Sequence, residues 1–195
     1  MALRILIADD EPIARLDLRE MLASLGHKVV AEAADGDTAL KLARETHPSI
    51  AMLDIRMPGL DGLEVAHTLA VERIAPTLIL SAYTDQEYLD RSREAGCLCY
   101  LVKPFRQSDL APAIAMTLAL SDRLTGLQTE LRNLQESVLT RKAVDHAKGI
   151  LMDKYGTKEN DAFRQIQLES MSSRRTLREV AESIIDADRV MSGDF

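Results

Sequence analysis

Five short apolar runs, most of them cut off at once by polar or charged residues, constrain this chain more than any other feature. Arg4–Ala8 stops at Asp9-Asp10-Glu11, Ile50–Leu53 at Asp54, Thr77–Leu80 at Ser81, and Leu98–Val102 at Lys103-Pro104; the remaining run is His27–Ala31. Between them, residues 12–25, 37–46, 62–71 and 85–95 carry apolar residues at helical spacing, and a further helix starts at Ser108. In the first of these helices the spacing selects Ile13, Leu16, Met21, Leu22 and Leu25 as the inner positions. Near-continuous apolar strands alternating with helices belong to parallel sheets covered on both faces. The fold class that follows for residues 1–120 is α/β, a doubly wound five-stranded parallel sheet.

Parallel strands end on one edge, and open α/β sheets bind ligands at that edge. Asp9, Asp10, Asp54, Ser81 and Lys103 therefore converge on one rim. Three carboxylates in one place repel each other unless a cation sits among them. Mg²⁺ prefers hard oxygen ligands, and the reading assigns Asp10 and Asp54 as direct ligands, with Asp9 acting through water or in support. Phosphoryl transfer needs an in-line nucleophile and charge neutralisation. Asp54 supplies the carboxylate, and Lys103 and Ser81 supply donors for phosphoryl oxygens. Any one of these residues alone would read as a turn or a cap; their convergence is what carries the argument.

The stretches Ala8-Asp9-Asp10-Glu11-Pro12, Leu53-Asp54-Ile55-Arg56-Met57-Pro58-Gly59, Leu80-Ser81-Ala82 and Tyr100-Leu101-Val102-Lys103-Pro104-Phe105 resemble those of response-regulator receiver domains, which have a flavodoxin-like fold. The resemblance covers residues 1–120. It implies that Asp54 is the phosphoacceptor, that Asp9, Asp10, Asp54 and the backbone carbonyl of Arg56 hold Mg²⁺, that Lys103-Pro104 is cis, and that Ser81 and Tyr100 are the switch residues. It also implies a sensor histidine kinase as partner and a receiver face that dimerises. The chain is then not an enzyme beyond its own aspartyl phosphorylation and dephosphorylation.

Beyond residue 120 the pattern changes. Leu120, Leu124, Leu127, Leu131, Leu134 and Val138 are spaced 4, 3, 4, 3, 4, a heptad seam; an amphipathic helix lying on its own domain is the alternative, but the strict period favours a coiled-coil linker over 121–140 and a homodimer. Residues 141–190 read as three short helices. The first spans roughly 138–154 and is closed by Gly156, Thr157 caps the second, and Thr176-Leu177-Arg178-Glu179 forms a capping box for the third. Val144, Ala147, Leu151, Ala162, Phe163, Ile166, Leu177, Val180, Ala181 and Ile184 are the expected core. Gly149 inside a helix costs about 1 kcal/mol relative to Ala, which predicts close approach of a neighbour there.

Charge is uneven: the net −7 is made of 12 Lys/Arg against 18 Asp/Glu in residues 1–120, but residues 141–178 carry 9 against 5. A basic segment between acidic neighbours is the part a polyanion would meet. Ala147-Lys148-Gly149-Ile150-Leu151-Met152, Ala162-Phe163 and Leu177-Arg178-Glu179-Val180-Ala181 resemble the ANTAR domain, an RNA-binding output module of transcription antitermination regulators. The resemblance covers about residues 138–186 and implies dimeric binding of hairpins in nascent mRNA, acting on the transcription machinery indirectly. Candidate RNA contacts are Arg141, Lys142, Lys148, Arg174, Arg175 and Arg178, with Lys154 and Lys158 nearby. Tyr155 is placed to stack on an unpaired base. A DNA-binding or a purely protein-binding output is the alternative.

Cys97 and Cys99 are the only cysteines, with no His beside them for a zinc site, and read as small apolar fillers. No apolar run approaches the roughly 20 residues that span a bilayer, and the opening stretch meets acidic residues too soon for a signal peptide. No membrane partner and a cytoplasmic location are the expectations.

Overall fold

The computed structural model of the chain describes residues 2–82 and 97–192. The helix expected over 85–95 lies outside the described residues, as does most of the tail expected to be loose, 193–195. The described elements are β1 Arg4–Ala8, α1 Pro12–Ser24, β2 Lys28–Ala33, α2 Gly36–Thr46, β3 Ile50–Asp54, α3 Gly62–Val71, β4 Thr77–Ser81, β5 Cys99–Val102, α4 Gln107–Tyr155, α5 Glu159–Ser173 and α6 Leu177–Ser192. The chain divides into two compact units, Met1–Thr125 and Gly126–Phe195.

In the first unit the strands form one sheet in the order β2-β1-β3-β4-β5, all parallel. Side chains alternate across a strand, and the sheet feeds two separate cores. Leu6, Ala8, Ala51, Leu53 and Ile79 pack with Ala39 and Ala43 of α2 and Leu63, Val65, Ala66 and Leu69 of α3. Ile5, Ile7, Ile50, Met52, Leu78 and Leu80 pack with Leu18 and Leu22 of α1 and Leu110 and Ile114 of α4. Each fully buried Leu or Ile contributes roughly 1.5–3 kcal/mol against an exposed one. Both faces are thus covered, as the unbroken apolar strands require.

Local signals place the helices. Asp35 accepts from the Thr38 amide at 2.7 Å and caps α2. Asp61 and Glu64 form a reciprocal capping box at the start of α3. Gly26 follows α1 at φ +79°, and Lys103-Pro104 is cis. One expectation fails in α1. Leu18 and Leu22 are buried, but Ile13 is 70% exposed and Leu16 is 42% exposed. Ile13 lies five residues from Leu18, about 140° around the helix, so the two cannot share an inner face. Cys99 packs with one core and Cys97, which precedes β5, with the other.

The second unit contains the C-terminal part of α4 with α5 and α6. The last helix of the first unit, the heptad segment and the first output helix are one continuous helix of 49 residues. Nothing in the sequence stops it: no Pro follows Pro112, and Gly126 and Gly149 are isolated. Val144, Ala147, Ile166, Val180 and Ala181 form the core, flanked by Leu151, Leu177 and Ile184, and Ala162 is also buried. Phe163, expected inside, is 37% exposed, because its neighbour Ala162 takes the inward position.

Thr157 does not cap α5. Its hydroxyl donates to the Leu151 carbonyl at 3.1 Å and closes the end of α4, while the N-cap of α5 is Lys158, without a side-chain cap bond. Gly149 is the other correction: a Cβ there would meet nothing within 4 Å, so no neighbour presses on it. The capping box of α6 is present. Thr176 N donates to Glu179 Oε2 at 2.7 Å, and Glu179 N to Thr176 Oγ1 at 3.2 Å. Thr176→Ala should therefore lower the stability of the second unit by about 1 kcal/mol, seen as an earlier urea transition of the full chain by circular dichroism.

Candidate functional site

Strand register builds the first site. Ala8 pairs with Leu53, Asp54 with Leu80, and Ser81 with Val102. Asp9, Asp54, Ser81 and Lys103 therefore stand within a residue of one another along the carboxyl edge. The Lys103 amide donates to the Ser81 carbonyl at 2.8 Å, which ties β5 to β4 at that line.

The side chains meet around one cation. Lys103 Nζ donates to Asp9 Oδ2 at 2.6 Å and to Asp54 Oδ1 at 2.5 Å. The second oxygen of Asp54 accepts from the Arg56 amide at 2.7 Å. Asp9 is fixed on every side: its Oδ1 accepts from the Glu11 amide, its own amide donates to Ala33, and its carbonyl accepts from Arg15 Nη1. Asp9 and Asp54 are both buried, and Asp10 beside them is exposed. Burial lifts the Asp54 carboxyl above its ordinary pKa against the pull of Lys103, and the charge of Asp9 adds to the rise. For Lys103 burial works downward, but the bonds to Asp54 and Asp9 outweigh it, and its pKa lies above the usual lysine value. The sequence reading gave Lys103 to a phosphoryl oxygen; here it spans the two carboxylates.

Two glycines let the loop after β3 fold back onto the site. A Cβ at Gly62 would lie 1.9 Å from the Asp54 carbonyl oxygen, and one at Gly36 would lie 2.0 Å from that of Leu60. Gly62 N in turn donates to the Ile55 carbonyl at 2.9 Å. The stretch Pro58-Gly59-Leu60-Asp61-Gly62, which continues the receiver-like run after Asp54, is a tight turn into a capped helix, but sequence reasoning assigned Gly62 no contact with Asp54 and passed over Arg15. Nothing local marked Arg15. Ser81 is buried at the end of β4, and Tyr100, paired with Ile79, is half-buried against the core shared with α2 and α3.

The donor set fits Mg²⁺. Every group offered is a hard oxygen or the cation that already bridges two of them, and two buried carboxylates converge on one point. Among the described residues no group of three His, Cys, Asp or Glu side chains is gathered around one metal position: Asp9 and Asp54 come together at Lys103, and Asp10 is exposed.

In the second unit the basic candidates are scattered and partly engaged. Lys148, its side chain only 16% exposed, pairs with Asp145 at 2.8 Å and Glu159 at 2.9 Å. Arg178 pairs with Glu182 at 2.6 Å, and Arg175 donates to the Glu179 carbonyl and Ser183 Oγ. Lys154 pairs with Asp188. Arg174 ends α5 at φ +55°. Arg141 is 85% exposed with a long contact to Asp145, Lys142 and Lys158 are exposed, and Tyr155 is 71% exposed. An exposed tyrosine beside cations offers a stacking platform.

A five-stranded parallel sheet in this order, with two buried carboxylates bridged by a lysine at its carboxyl edge, is the architecture of a response-regulator receiver. Residues 5–115 match the response regulator receiver domain family, and residues 132–185 match the ANTAR domain family. The chain belongs to the response-regulator family, as a receiver joined to an ANTAR domain. It is 43% identical over 183 residues to the transcriptional regulatory protein PdtaR of Mycobacterium tuberculosis strain H37Rv, across 94% of this chain and 89% of that protein. It is 42% identical over 114 residues to a positive alginate biosynthesis regulatory protein of Pseudomonas aeruginosa, across 57% of this chain and 46% of that one. Among solved structures, a LuxR-family two-component response regulator from Aurantimonas sp. SI85-9A1 superposes with TM-score 0.57 at 34% identity, covering 61% of this chain and 86% of that one. The signal receiver domain of a modulated diguanylate cyclase from Desulfovibrio desulfuricans G20 gives TM-score 0.59 at 31% identity, covering 63% and 98%.

Two outcomes follow from the geometry. Lys103→Met leaves two buried carboxylates unpaired and should cost about 3 kcal/mol at neutral pH. Because the folded pKa of Lys103 is raised, the wild-type advantage is full below the ordinary lysine pKa and is lost as pH rises through the folded value. It also shrinks in acid, as Asp54 takes up a proton at its raised pKa. Millimolar Mg²⁺ should recover more melting temperature in Lys103→Met than in wild type; equal recovery would mean that the carboxylates do not bind the ion. Gly62→Ala should destabilise the first unit by 2 kcal/mol or so, read in the same melting experiment.

Proposed function

We propose that the protein is a phosphorylation-controlled antiterminator that binds hairpins in nascent mRNA. The observation that carries this reading is the ANTAR match on a helical unit with its own core, joined by one unbroken helix to a receiver. A sensor histidine kinase presents a phosphohistidine; the Asp54 carboxylate attacks phosphorus in line, the P–N bond breaks, and the imidazole leaves. Mg²⁺ held by Asp9, Asp10, Asp54 and the Arg56 carbonyl would neutralise charge on the transferring group. Lys103 turns from Asp54 to a phosphoryl oxygen, and the Ser81 hydroxyl donates to another. The carboxylate gives up its own charge in forming the acyl phosphate, so the phosphoryl group's charge of roughly −1.5 to −2 is only partly new; its acceptor oxygens draw Ser81 inward, and Tyr100 follows into the space it leaves.

The same reading makes the active form a dimer. Leu124, Leu127, Leu131, Leu134 and Val138 are between 46% and 60% exposed in a single copy, on a stretch of α4, residues 119–142, that packs into no hydrophobic core of the described residues. Helices in proteins draw most of their stability from packing an apolar face, and pairing seam to seam would bury five large side chains. The receiver face is the second proposed contact.

RNA is favoured over duplex DNA because α6 carries Glu179, Glu182, Asp186 and Asp188, a poor set for a major groove. Location in the cytoplasm, beside the transcribing polymerase, goes with this role; no described helix is long and apolar enough to cross a membrane. Sequencing of RNA crosslinked in cells should recover hairpin-containing leaders with the wild type and several-fold fewer with Asp54→Ala. Equal recovery would remove phosphorylation from the account, and enrichment of duplex DNA over RNA in a gel shift would favour the alternative output.

A further inference from the structure

Asp10 is exposed, yet the peptides on both sides of it are held. The one before it is fixed at its oxygen, where Arg15 Nη1 donates to the Asp9 carbonyl. The one after it is fixed at its nitrogen, where the Glu11 amide donates to Asp9 Oδ1 at 3.0 Å. Backbone freedom at a residue is rotation about the two bonds that join its flanking peptides. These two hydrogen bonds therefore set the direction in which the Asp10 side chain leaves the chain. Asp9 can serve as the anchor because it is itself buried and tied down. Its amide donates to the Ala33 carbonyl at 3.2 Å, and its second carboxylate oxygen accepts from Lys103 at 2.6 Å.

Arg15 has little local reason to be arginine. It is the fourth residue of α1, near the helix end whose macrodipole disfavours a cation, and no acidic residue occupies that first turn to offset it. Its amide closes the first turn on the Glu11 carbonyl at 3.1 Å. Its half-buried side chain runs back to Asp9. One residue thus ties the start of α1 to the end of β1, with Asp10 between the two held peptides. Arg19, one turn further along the same helix, pairs with Glu32 at 3.2 Å instead.

We propose that Arg15 is a positioning residue for Mg²⁺ binding: it holds the peptide between Asp9 and Asp10, so that the Asp10 carboxylate is already aimed when the ion arrives. The inference rests on the reading of Asp10 as a Mg²⁺ ligand and adds the group that orients it. A ligand on an unconstrained residue gives up backbone freedom when it binds, and the ion is held less tightly by that amount. The Arg15 bond removes this loss in advance. Charge and position pull in opposite directions here. As a bare cation Arg15 repels Mg²⁺, so deleting its charge alone would tighten the ion. Deleting it as a support loosens the ion.

Melting temperature of the full chain across a Mg²⁺ series gives an apparent dissociation constant without any phosphoryl donor. Arg15→Met keeps the aliphatic stem, removes the donor, and should raise that constant about tenfold. Arg15→Lys, which keeps a donor, should recover most of the loss. Arg19→Met should leave the constant unchanged or slightly lower. Asp10→Asn should weaken Mg²⁺ as well, and adding Arg15→Met to it should cost nothing further, because the two act in series. With acetyl phosphate as donor, the Mg²⁺ concentration for half-maximal phosphorylation of Asp54 should rise by the same factor in Arg15→Met, while the rate at saturating Mg²⁺ stays within about twofold. An unchanged or lower constant in Arg15→Met would make Arg15 a structural or purely electrostatic group and overturn the proposal, with Asp10 still a ligand. Full additivity with Asp10→Asn would overturn the route through Asp10. Equal Mg²⁺ responses of the wild type and Asp10→Asn would instead sink the ligand reading on which the inference rests.

Discussion

One ammonium between two buried carboxylates organises the receiver's working edge. Without Lys103, Asp9 and Asp54 would stand charged and unpaired in a site that burial already makes hostile to charge. In the proposed function the pair would also make the site responsive: a half-buried cation shared by two anions is released when one anion changes, and Asp54 is the anion that phosphoryl transfer would change. The loop after β3 can close over this point only because Gly62 has no side chain to strike the Asp54 carbonyl. Arg15 and the Glu11 amide hold Asp9 still, so that Asp54 and Lys103 are the parts left to move.

The helix that begins shortly after Lys103 connects this edge to the output unit. It uses different faces in succession. Leu110 and Ile114 belong to the receiver core, the seam residues from Leu124 to Val138 are exposed, and Val144, Ala147 and Leu151 belong to the output core. One helix thus contributes to two cores, and its exposed middle is what the proposed dimer would cover. Control of pairing is therefore the natural output of a change at the receiver edge.

Much of the receiver was legible because its signals are local and redundant. Apolar strands buried on both faces have no alternation to misread, and each strand end carries its own chemistry. The failures came where side-chain direction decides. Ile13 and Leu16 are apolar, yet lie off the Leu18–Leu22 stripe. Phe163 lost the inward position to the smaller Ala162. Thr157 lies between the free carbonyls that end α4 and the free amides that begin α5, and its hydroxyl donates to the former. Lys148, Arg175 and Arg178 read as free cations by composition, but each has a partner that is distant in sequence or one to two turns along its helix. Pairing of that kind depends on rotamers and on tertiary neighbours, which residue counts do not encode. The boundary between linker and output helix was illegible for a simpler reason: there is no break in the helix to find.

The central claim is that the state of Asp54 governs pairing along the α4 seam. Sedimentation equilibrium of the full chain across a concentration series, with Mg²⁺ and with or without beryllofluoride, measures that link most directly. The account predicts a clear fall in the dimer dissociation constant when beryllofluoride is added, abolished by Asp54→Ala. An association constant that is the same in both conditions would contradict it.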